Sequence, residues 1–254
     1  MLRDLRIEFE HGERESRAWI PIVPELADAR GHVRLGALAT LSDVLGGGLA
    51  GLAAAPSWIA TADLTMHRAE PVTARDGELE VHGRVLRAGR STVVLECRIT
   101  AGAVVAGYST MTFAVLDRRS TNPVLAPTPG APQRHSMAFD DSRLGSALLD
   151  ALGIVVRAPG TVALDVEPYV VNSLGATQGG ALATMAEVAA ESLDPTGRSA
   201  TIDLQLSYLA LAKAGPIVAT AQRIGDEGAV RVVVVDAGTE RTAAHALARV
   251  EALA

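Results

Sequence analysis

The chain has 254 residues, of which 48% are hydrophobic and 20% charged, and its formal net charge is −6. This composition supports a sizeable core and argues against global disorder, and the length allows one large domain or two of ordinary size. The acidic balance, the lack of a long basic run and the aromatic content of 3% argue against binding to nucleic acid or to an anionic membrane.

The first half is predicted to begin with an extended segment, residues 15–23, followed by a turn and a helix from residue 36 to about residue 54. The helix is apolar nearly all round, which predicts a buried position. Four strands are predicted after it, because Val, Ile and Thr are enriched and glycine-containing breaks separate the runs. Their ranges are 58–68, 78–86, 91–100 and 104–116.

A proline-rich stretch then separates the two halves. Residues 118–132 contain four prolines, which predicts a semi-extended linker. The expected division is a first domain over residues 1–117, a linker over 118–135 and a second domain over 136–254. The second half adds a short amphipathic helix, 142–152, and then repeats the order of the first. Its predicted elements are an extended segment at 161–167, a helix from 180 to about 193, and strands at 200–210, 217–224, 230–236 and 242–253.

The two halves also share a sequence. Gly36-Ala-Leu-Ala-Thr40 recurs as Gly180-Ala-Leu-Ala-Thr184, at an offset of 144 residues that also places Asp43 opposite Glu187. A repeat of this length indicates two copies of a whole domain. A carboxylate on an apolar helix is costly unless it has a partner or a task, so the pair indicates chemistry. The alternative is a structural carboxylate that is hydrogen-bonded across the domain interface.

The loop before the second helix carries another signal. Residues 172–180 read Asn-Ser-Leu-Gly-Ala-Thr-Gln-Gly-Gly, so two glycines stand at the helix start. Paired glycines let another molecule approach the free backbone N–H groups, which together with the helix dipole polarise a carbonyl or stabilise an oxyanion. A tight turn that requires glycine is the alternative interpretation.

These residues resemble a known family. The pattern Asn-x5-His-Gly-Gly-x6-Asp/Glu, followed by a strand that begins Ser/Thr-x-Asp, is similar to the hotdog-fold acyl-CoA thioesterases, and most similar to the PaaI-like branch of the 4-hydroxybenzoyl-CoA thioesterase superfamily. The resemblance implies an α+β chain of two tandem hotdog domains, each a long central helix wrapped by a curved antiparallel sheet, packed as an intrachain pseudo-dimer. The matching positions are Asn172, Gln178, Gly179, Gly180, Glu187 and Thr201 in one half, and Asp28, Arg34, Leu35, Gly36, Asp43 and Thr61 in the other.

Neither half matches the pattern completely. Gln178 and Arg34 stand where the family has histidine, and Leu35 replaces the leading glycine. The family builds each site across a dimer interface, so the resemblance implies two sites made from opposite halves. One is nearly complete and is expected to be catalytic, with Asp43, Thr61, Gly179, Asn172 and Gln178. The other is expected to be degenerate, with Glu187, Thr201, Arg34, Leu35 and Asp28.

The resemblance also implies roles. The Gly179 N–H would polarise the thioester carbonyl, and Asp43 would act as general base or as nucleophile. Thr61 would position the water or the carboxylate, while Asn172 and Gln178 would hold the acid or the substrate. Loss of hydrolysis in Glu187→Ala but not in Asp43→Ala would contradict this assignment.

The expected function is hydrolysis of an acyl-CoA, and the sparse aromatic residues favour an aliphatic acyl group. The main alternative is a non-catalytic acyl-CoA-binding protein, which the missing histidine favours. A hotdog hydratase or dehydratase ranks third, because neither helix region offers a suitable histidine. Pairing of two chains into four hotdog units is also expected to be feasible.

The remaining signals favour ordinary structural roles. The lone cysteine, Cys97, excludes intramolecular disulfides and fits a reducing, cytoplasmic location, and it is predicted to be a packed core thiol. The six histidines lack ligand spacing, so no metal and no cofactor beyond the CoA of the substrate is expected. No signal core and no uncharged membrane-spanning stretch is found. His67 is predicted to be an ordinary strand residue, Arg87 and Arg90 to lie in a solvated hairpin, and the G-x-G-x-x-G match at residues 46–51 to serve helix packing.

Overall fold

A computed structural model describes residues 1–117, the first half, and 134–252, the second half. The strands of these residues form one antiparallel sheet of 13 strands. In chain order the elements are β1 (Glu8–His11), β2 (Glu15–Pro21), α1 (Leu35–Ala54), β3 (Trp58–Arg68), β4 (Glu78–Ala88), β5 (Thr92–Ala101), β6 (Val104–Leu116), β7 (His135–Ser136), α2 (Leu148–Leu152), β8 (Val155–Ala158), β9 (Thr161–Leu164), α3 (Gly179–Glu191), β10 (Ser199–Tyr208), β11 (Ile217–Arg223), β12 (Ala229–Asp236) and β13 (Arg241–Ala252).

The order of the strands is nearly mirror-symmetric about the middle of the sheet. It runs β7-β1-β2-β4-β5-β6-β3-β10-β13-β12-β11-β9-β8, so β3 and β10 join the two halves. These strands are antiparallel, with Leu64 opposite Leu206. The same pairing places Ser207 opposite Asp63 and His67 opposite Asp203, which are hydrogen-bonded pairs of 2.7 Å in both cases. The strands of both halves therefore form one continuous sheet.

The shared Gly-Ala-Leu-Ala-Thr segment is where the two long helices meet. A Cβ atom added to Gly36 would lie 2.7 Å from the Thr184 Cα, and one added to Gly180 would lie 2.6 Å from the Thr40 Cα. Each threonine hydroxyl donates a hydrogen bond to the glycine carbonyl of its own helix, at 2.7 Å and 2.9 Å. These glycines allow backbone-to-backbone packing, so the second glycine of the Gly-Gly pair serves the helix crossing and not a ligand.

Both long helices pack against the strands of their own half. The α1 leucines that face the sheet are at most 1% exposed, namely Leu38, Leu41, Leu45 and Leu49. By length and composition, with a mean hydropathy of 1.4, helix α1 could cross a membrane. Since two thirds of that apolar window is buried inside the protein, α1 is a core helix.

Most predicted strands agree with the structure. The ranges 58–68 and 104–116 match exactly, and β13 is a strand as predicted, although residue 253 lies outside the described residues. The extended segments end earlier, at Pro21 and Leu164, because each runs into a short 3-10 turn that starts at a proline. The short strands β1, β7 and β8 were not predicted.

The predicted helix over residues 142–152 is wrong in extent. Only Leu148–Leu152 is helical, because the chain before it forms turns around Gly145 and the Ser142 hydroxyl accepts a hydrogen bond from the Phe139 N–H at 2.9 Å. The buried leucines at 144, 148 and 152 have helical spacing without a continuous helix. Of the predicted linker, residues 118–133 lie outside the described residues, and its last residue, His135, begins β7.

Candidate functional site

Asp43 lies on α1 at the contact between the two halves and is only 7% exposed. Its Oδ1 atom accepts a hydrogen bond of 2.7 Å from the hydroxyl of Thr61 on β3. The register of β3 against β6 shifts between Thr61 and Asp63, which marks a bulge. Bulges redirect side chains and are frequent beside active sites. The bulge therefore accounts for how Thr61 reaches Asp43 from the strand.

Burial gives this carboxylate an unusual basicity. Desolvation raises the pKa of Asp43 from 3.8 to about 6, while the hydrogen bond from Thr61 lowers it. A group with this pKa is ionised at neutral pH and accepts a proton more readily than an exposed aspartate. Asp43 thus has the properties of a general base near pH 7.

The start of α3 faces Asp43 from the other half of the chain. A Cβ atom added to Gly179 would lie 2.7 Å from the Asp43 Oδ2 atom, so only glycine fits beside the carboxylate. Among the described residues, the Gly179 and Gly180 N–H groups donate no hydrogen bond. Free N–H groups at a helix N-terminus bind anions and developing negative charge. The geometry places an unfilled donor site next to a buried base.

Tyr208, at the end of β10, completes this cluster. It is a site residue that was not predicted from the sequence. Its hydroxyl donates a hydrogen bond of 3.0 Å to the Gly179 carbonyl. Burial, and secondarily the charge of Asp43, raises the pKa of Tyr208 well above 10, so the phenol stays protonated. It follows Thr201 by seven residues, and the packing of α3 against β10 in the second half brings it to Gly179. No sequence signal could have identified it.

The remaining two predicted catalytic residues precede α3 and differ in what they do. The Asn172 Oδ1 atom accepts hydrogen bonds from Leu174 N at 2.9 Å and Ala176 N at 3.2 Å, so this side chain shapes the loop before α3. Gln178 precedes the first helical residue and is 8% exposed. In the described part of the chain, its side-chain amide makes no hydrogen bond and is available for a ligand.

The predicted degenerate site has the opposite arrangement around Glu187. This carboxylate is 1% exposed and accepts hydrogen bonds from Leu35 N at 2.8 Å and Gly36 N at 2.9 Å. Arg68 lies 4.0 Å away. Glu187 is one methylene longer than Asp43 and reaches the N-terminus of α1. The N–H groups that correspond to the free donors of α3 are therefore occupied by the protein itself.

A second carboxylate fills the rest of that site. Glu191 accepts a hydrogen bond from Thr201 N at 2.9 Å and faces the Arg34 guanidinium at 3.4 Å. Burial, and secondarily the charge of Glu187, raises the pKa of Glu191 to about 7. The Thr201 hydroxyl is buried without a partner in the described residues, whereas the Glu187 oxygens accept hydrogen bonds from Leu35 N and Gly36 N. Asp28 stabilises its own loop, because its Oδ1 atom accepts hydrogen bonds from Arg30 N and His32 N.

Other candidate residues have structural surroundings. Burial raises the pKa of Cys97 to about 12, and this thiol is in the core. His67 pairs with Asp203 on the exposed side of the sheet. The G-x-G-x-x-G match lies inside α1. Within residues 1–117 and 134–252, no group of three or more His, Cys, Asp or Glu side chains could hold a metal ion.

Comparison with known proteins agrees with this architecture. Residues 30–105 match the family model described as "Thioesterase superfamily". None of the curated proteins matches the chain in sequence. A solved acyl-ACP thioesterase from Bacteroides thetaiotaomicron is 14% identical and covers 93% of this chain and 98% of its own, with a TM-score of 0.64. The tesB protein of Mycobacterium avium subsp. paratuberculosis is 11% identical, covers 96% and 94%, and has a TM-score of 0.64. The hotdog fold, with a helix against a large antiparallel sheet, is confirmed by these likenesses.

Proposed function

We propose that the protein is a thioester hydrolase that acts on acyl-CoA, and that its halves are tandem hotdog domains packed as an intrachain pseudo-dimer. One observation carries the proposal. The buried Asp43, with Thr61 bound to it, faces the free N–H groups at the start of α3. Acyl transfer to water requires a base and an oxyanion-binding site that face the same reacting carbonyl.

The proposed reaction follows from these positions. The thioester carbonyl oxygen accepts a hydrogen bond from the Gly179 N–H, and Thr61 holds the water or the carboxylate. Asp43 takes a proton from water while the water oxygen attacks the carbonyl carbon. The tetrahedral intermediate then loses the sulfur, the C–S bond breaks, and the proton passes from Asp43 to the CoA thiolate. Direct attack by Asp43, through an anhydride that water then hydrolyses, uses the same residues. Neither route needs a cofactor beyond the CoA of the substrate.

The same reasoning assigns one working site per chain. At the other site, Glu187 occupies the N–H groups of α1, and the Arg34–Glu191 pair lies beside Thr201. A substrate carbonyl would have to displace a buried carboxylate that holds two hydrogen bonds. That displacement is strongly unfavourable, because it leaves buried donors and a buried charge unpaired. This site is proposed to serve the interface between the halves.

A non-catalytic acyl-CoA-binding protein is the second candidate, because Gln178 cannot exchange a proton as the family's histidine could. Thiol release from straight-chain acyl-CoAs, measured alongside calorimetric binding, separates the two. The buried Cys97 thiol, with its raised pKa, should not react with the thiol reagent. Hydrolysis by the wild type and by Glu187→Gln, but not by Asp43→Asn, is the expected result. Tight binding without thiol release in all three proteins would establish the binding protein instead.

A further inference from the structure

The two halves differ one helical turn beyond their carboxylates. The offset of 144 residues that aligns the repeated segments places Gly47 opposite Glu191. Each residue follows its carboxylate, Asp43 or Glu187, by four positions. Residues four apart share a face of a helix, so positions 47 and 191 lie beside their carboxylates in equivalent places.

In the second half this position is filled. The Glu191 side chain is 16% exposed and reaches from Thr201 N on β10 to the Arg34 guanidinium at the start of α1. It thereby closes the space between a helix start and the strand that carries the threonine of the site. No apolar group can enter that space without breaking the ion pair.

In the first half the equivalent space contains no side chain from position 47. Among the described residues, a Cβ atom added to Gly47 would meet only the Phe113 Cε1 atom, at 4.0 Å. Phe113 is fully buried and lies opposite Thr61 in the register of β6 and β3. Gly47 itself is only partly buried, as are Val44 and Gly48 on the same stretch of α1.

At the Asp43 site the counterpart of Arg34 is Gln178 from the second half, again by the offset of 144 residues. It is 8% exposed, and its amide has no hydrogen-bonding partner in the described part of the protein. The first site therefore has an unpaired amide and a bare glycine where the second has an ion pair. The Gln178 amide is not among the fully buried unpaired groups of the described residues, so it is accessible to a ligand from the surface of the site.

We infer that Gly47 determines acyl-chain specificity: the apolar acyl group of the substrate passes over Gly47 toward Phe113, in the space that Glu191 fills in the other half. This inference rests on the proposed hydrolysis at Asp43. With the carbonyl oxygen at the Gly179 N–H, the acyl group is the part of the substrate beside α1, one turn beyond the base. The bare backbone at Gly47, with the buried Phe113 ring behind it, suits an aliphatic chain better than a charged CoA group.

The test is a size series at position 47, with Gly47→Ala, Gly47→Val and Gly47→Leu assayed against acyl-CoAs from acetyl to decanoyl. We expect kcat/KM for the longest chains to fall by about 10-fold to 200-fold in Gly47→Leu, with intermediate losses in the smaller variants. Acetyl-CoA should change by less than about 3-fold, since it does not reach position 47. Gly47→Ala should unfold at an equal or higher temperature than the wild type, because alanine favours a helix over glycine and its Cβ has room.

Glu191→Gln is the matched control, because it changes the equivalent position in the filled site and keeps the side-chain shape. Its chain-length profile should equal that of the wild type. Equal losses for acetyl-CoA and decanoyl-CoA in Gly47→Leu would overturn the inference and would place the CoA arm at this position. If the wild type hydrolyses no acyl-CoA, the proposed function fails. Binding of non-hydrolysable acyl-CoA thioethers to the same variants then decides the inference separately: loss of long-chain binding alone supports it, and unchanged binding or no binding refutes it.

Discussion

Replacing Asp43 by asparagine should stabilise the protein while it abolishes hydrolysis. The rise in the pKa of Asp43 from 3.8 to about 6 corresponds to about 3 kcal/mol in the free energy of unfolding. The folded state binds this proton more tightly than the unfolded chain does. Its contribution to stability is therefore fully present below pH 3.8 and is lost as the pH rises through about 6.

At pH 8 the wild type thus carries the whole cost of a buried charge that asparagine avoids. Asparagine can still accept the Thr61 hydrogen bond through its carbonyl oxygen. We expect Asp43→Asn to raise the free energy of unfolding by about 2–3 kcal/mol at pH 8 and by about half of that at pH 5. Hydrolysis should fall by about 100-fold to 10,000-fold, the usual contribution of a general base.

Glu187→Gln is the matched control in the other half, and the opposite result is expected. The two carboxylate oxygens of Glu187 accept one hydrogen bond each, from Leu35 N and Gly36 N. In glutamine only the carbonyl oxygen can accept, so the side-chain NH2 group would face one of these backbone donors. The free energy of unfolding should fall by about 1–3 kcal/mol. Hydrolysis should remain within about 3-fold of the wild type, because this carboxylate takes no part in the proposed reaction.

Urea unfolding at pH 5 and pH 8, followed by tryptophan fluorescence and circular dichroism, measures these differences. Trp19 and Trp58 both report on the first half, and circular dichroism reports on the whole chain. A loss of stability in Asp43→Asn at pH 8 would refute the reasoning, since it would mean that the charged form is well satisfied in the folded state. Equal stability of Glu187→Gln and the wild type would show that the two backbone hydrogen bonds contribute nothing.

Three further outcomes are expected. The kcat/KM for thioester hydrolysis should rise with pH through about 6, as Asp43 becomes ionised. Thr61→Ala should move this rise to higher pH, because the hydrogen bond that lowers the pKa of Asp43 is lost. An unmoved or lowered midpoint would contradict this. Gly179→Ala should reduce hydrolysis by about 100-fold with an unchanged circular dichroism spectrum, because its Cβ would lie 2.7 Å from the Asp43 Oδ2 atom, and wild-type activity would disprove that contact. Gly36→Ala should lower the free energy of unfolding by about 1–3 kcal/mol, measured in urea, by pushing α1 away from Thr184, and an unchanged midpoint would show that the helices are not in backbone contact there.

Two features of the site were accessible from sequence because they repeat. The offset of 144 residues located both carboxylates, and the apolar pattern around them predicted buried helices. The motif also selected Thr61, whose hydrogen bond to Asp43 the structure shows at 2.7 Å. These are local signals, since a helix and its buried face depend on residues only three or four positions apart.

Other features depended on contacts that no local pattern contains. Tyr208 reaches Gly179 because β10 packs against α3. Asn172, a predicted catalytic residue, uses its side-chain carbonyl oxygen within its own loop. The sequence analysis interpreted Gly180 as part of a ligand-binding glycine pair, yet it contacts Thr40 and serves the crossing of the helices.

The sequence by itself determined the two long helices and most strands, and it placed Asp43 and Glu187 at equivalent positions of those helices. Only the tertiary structure decided which carboxylate accepts hydrogen bonds from the opposite helix and which does not. The helices cross at their N-termini, so each carboxylate faces the first N–H groups of the other helix, about 140 residues away in the chain. Glu187, one methylene longer, reaches those groups and accepts hydrogen bonds from them. Asp43 does not reach them, and it stays beside an open helix start with a raised pKa.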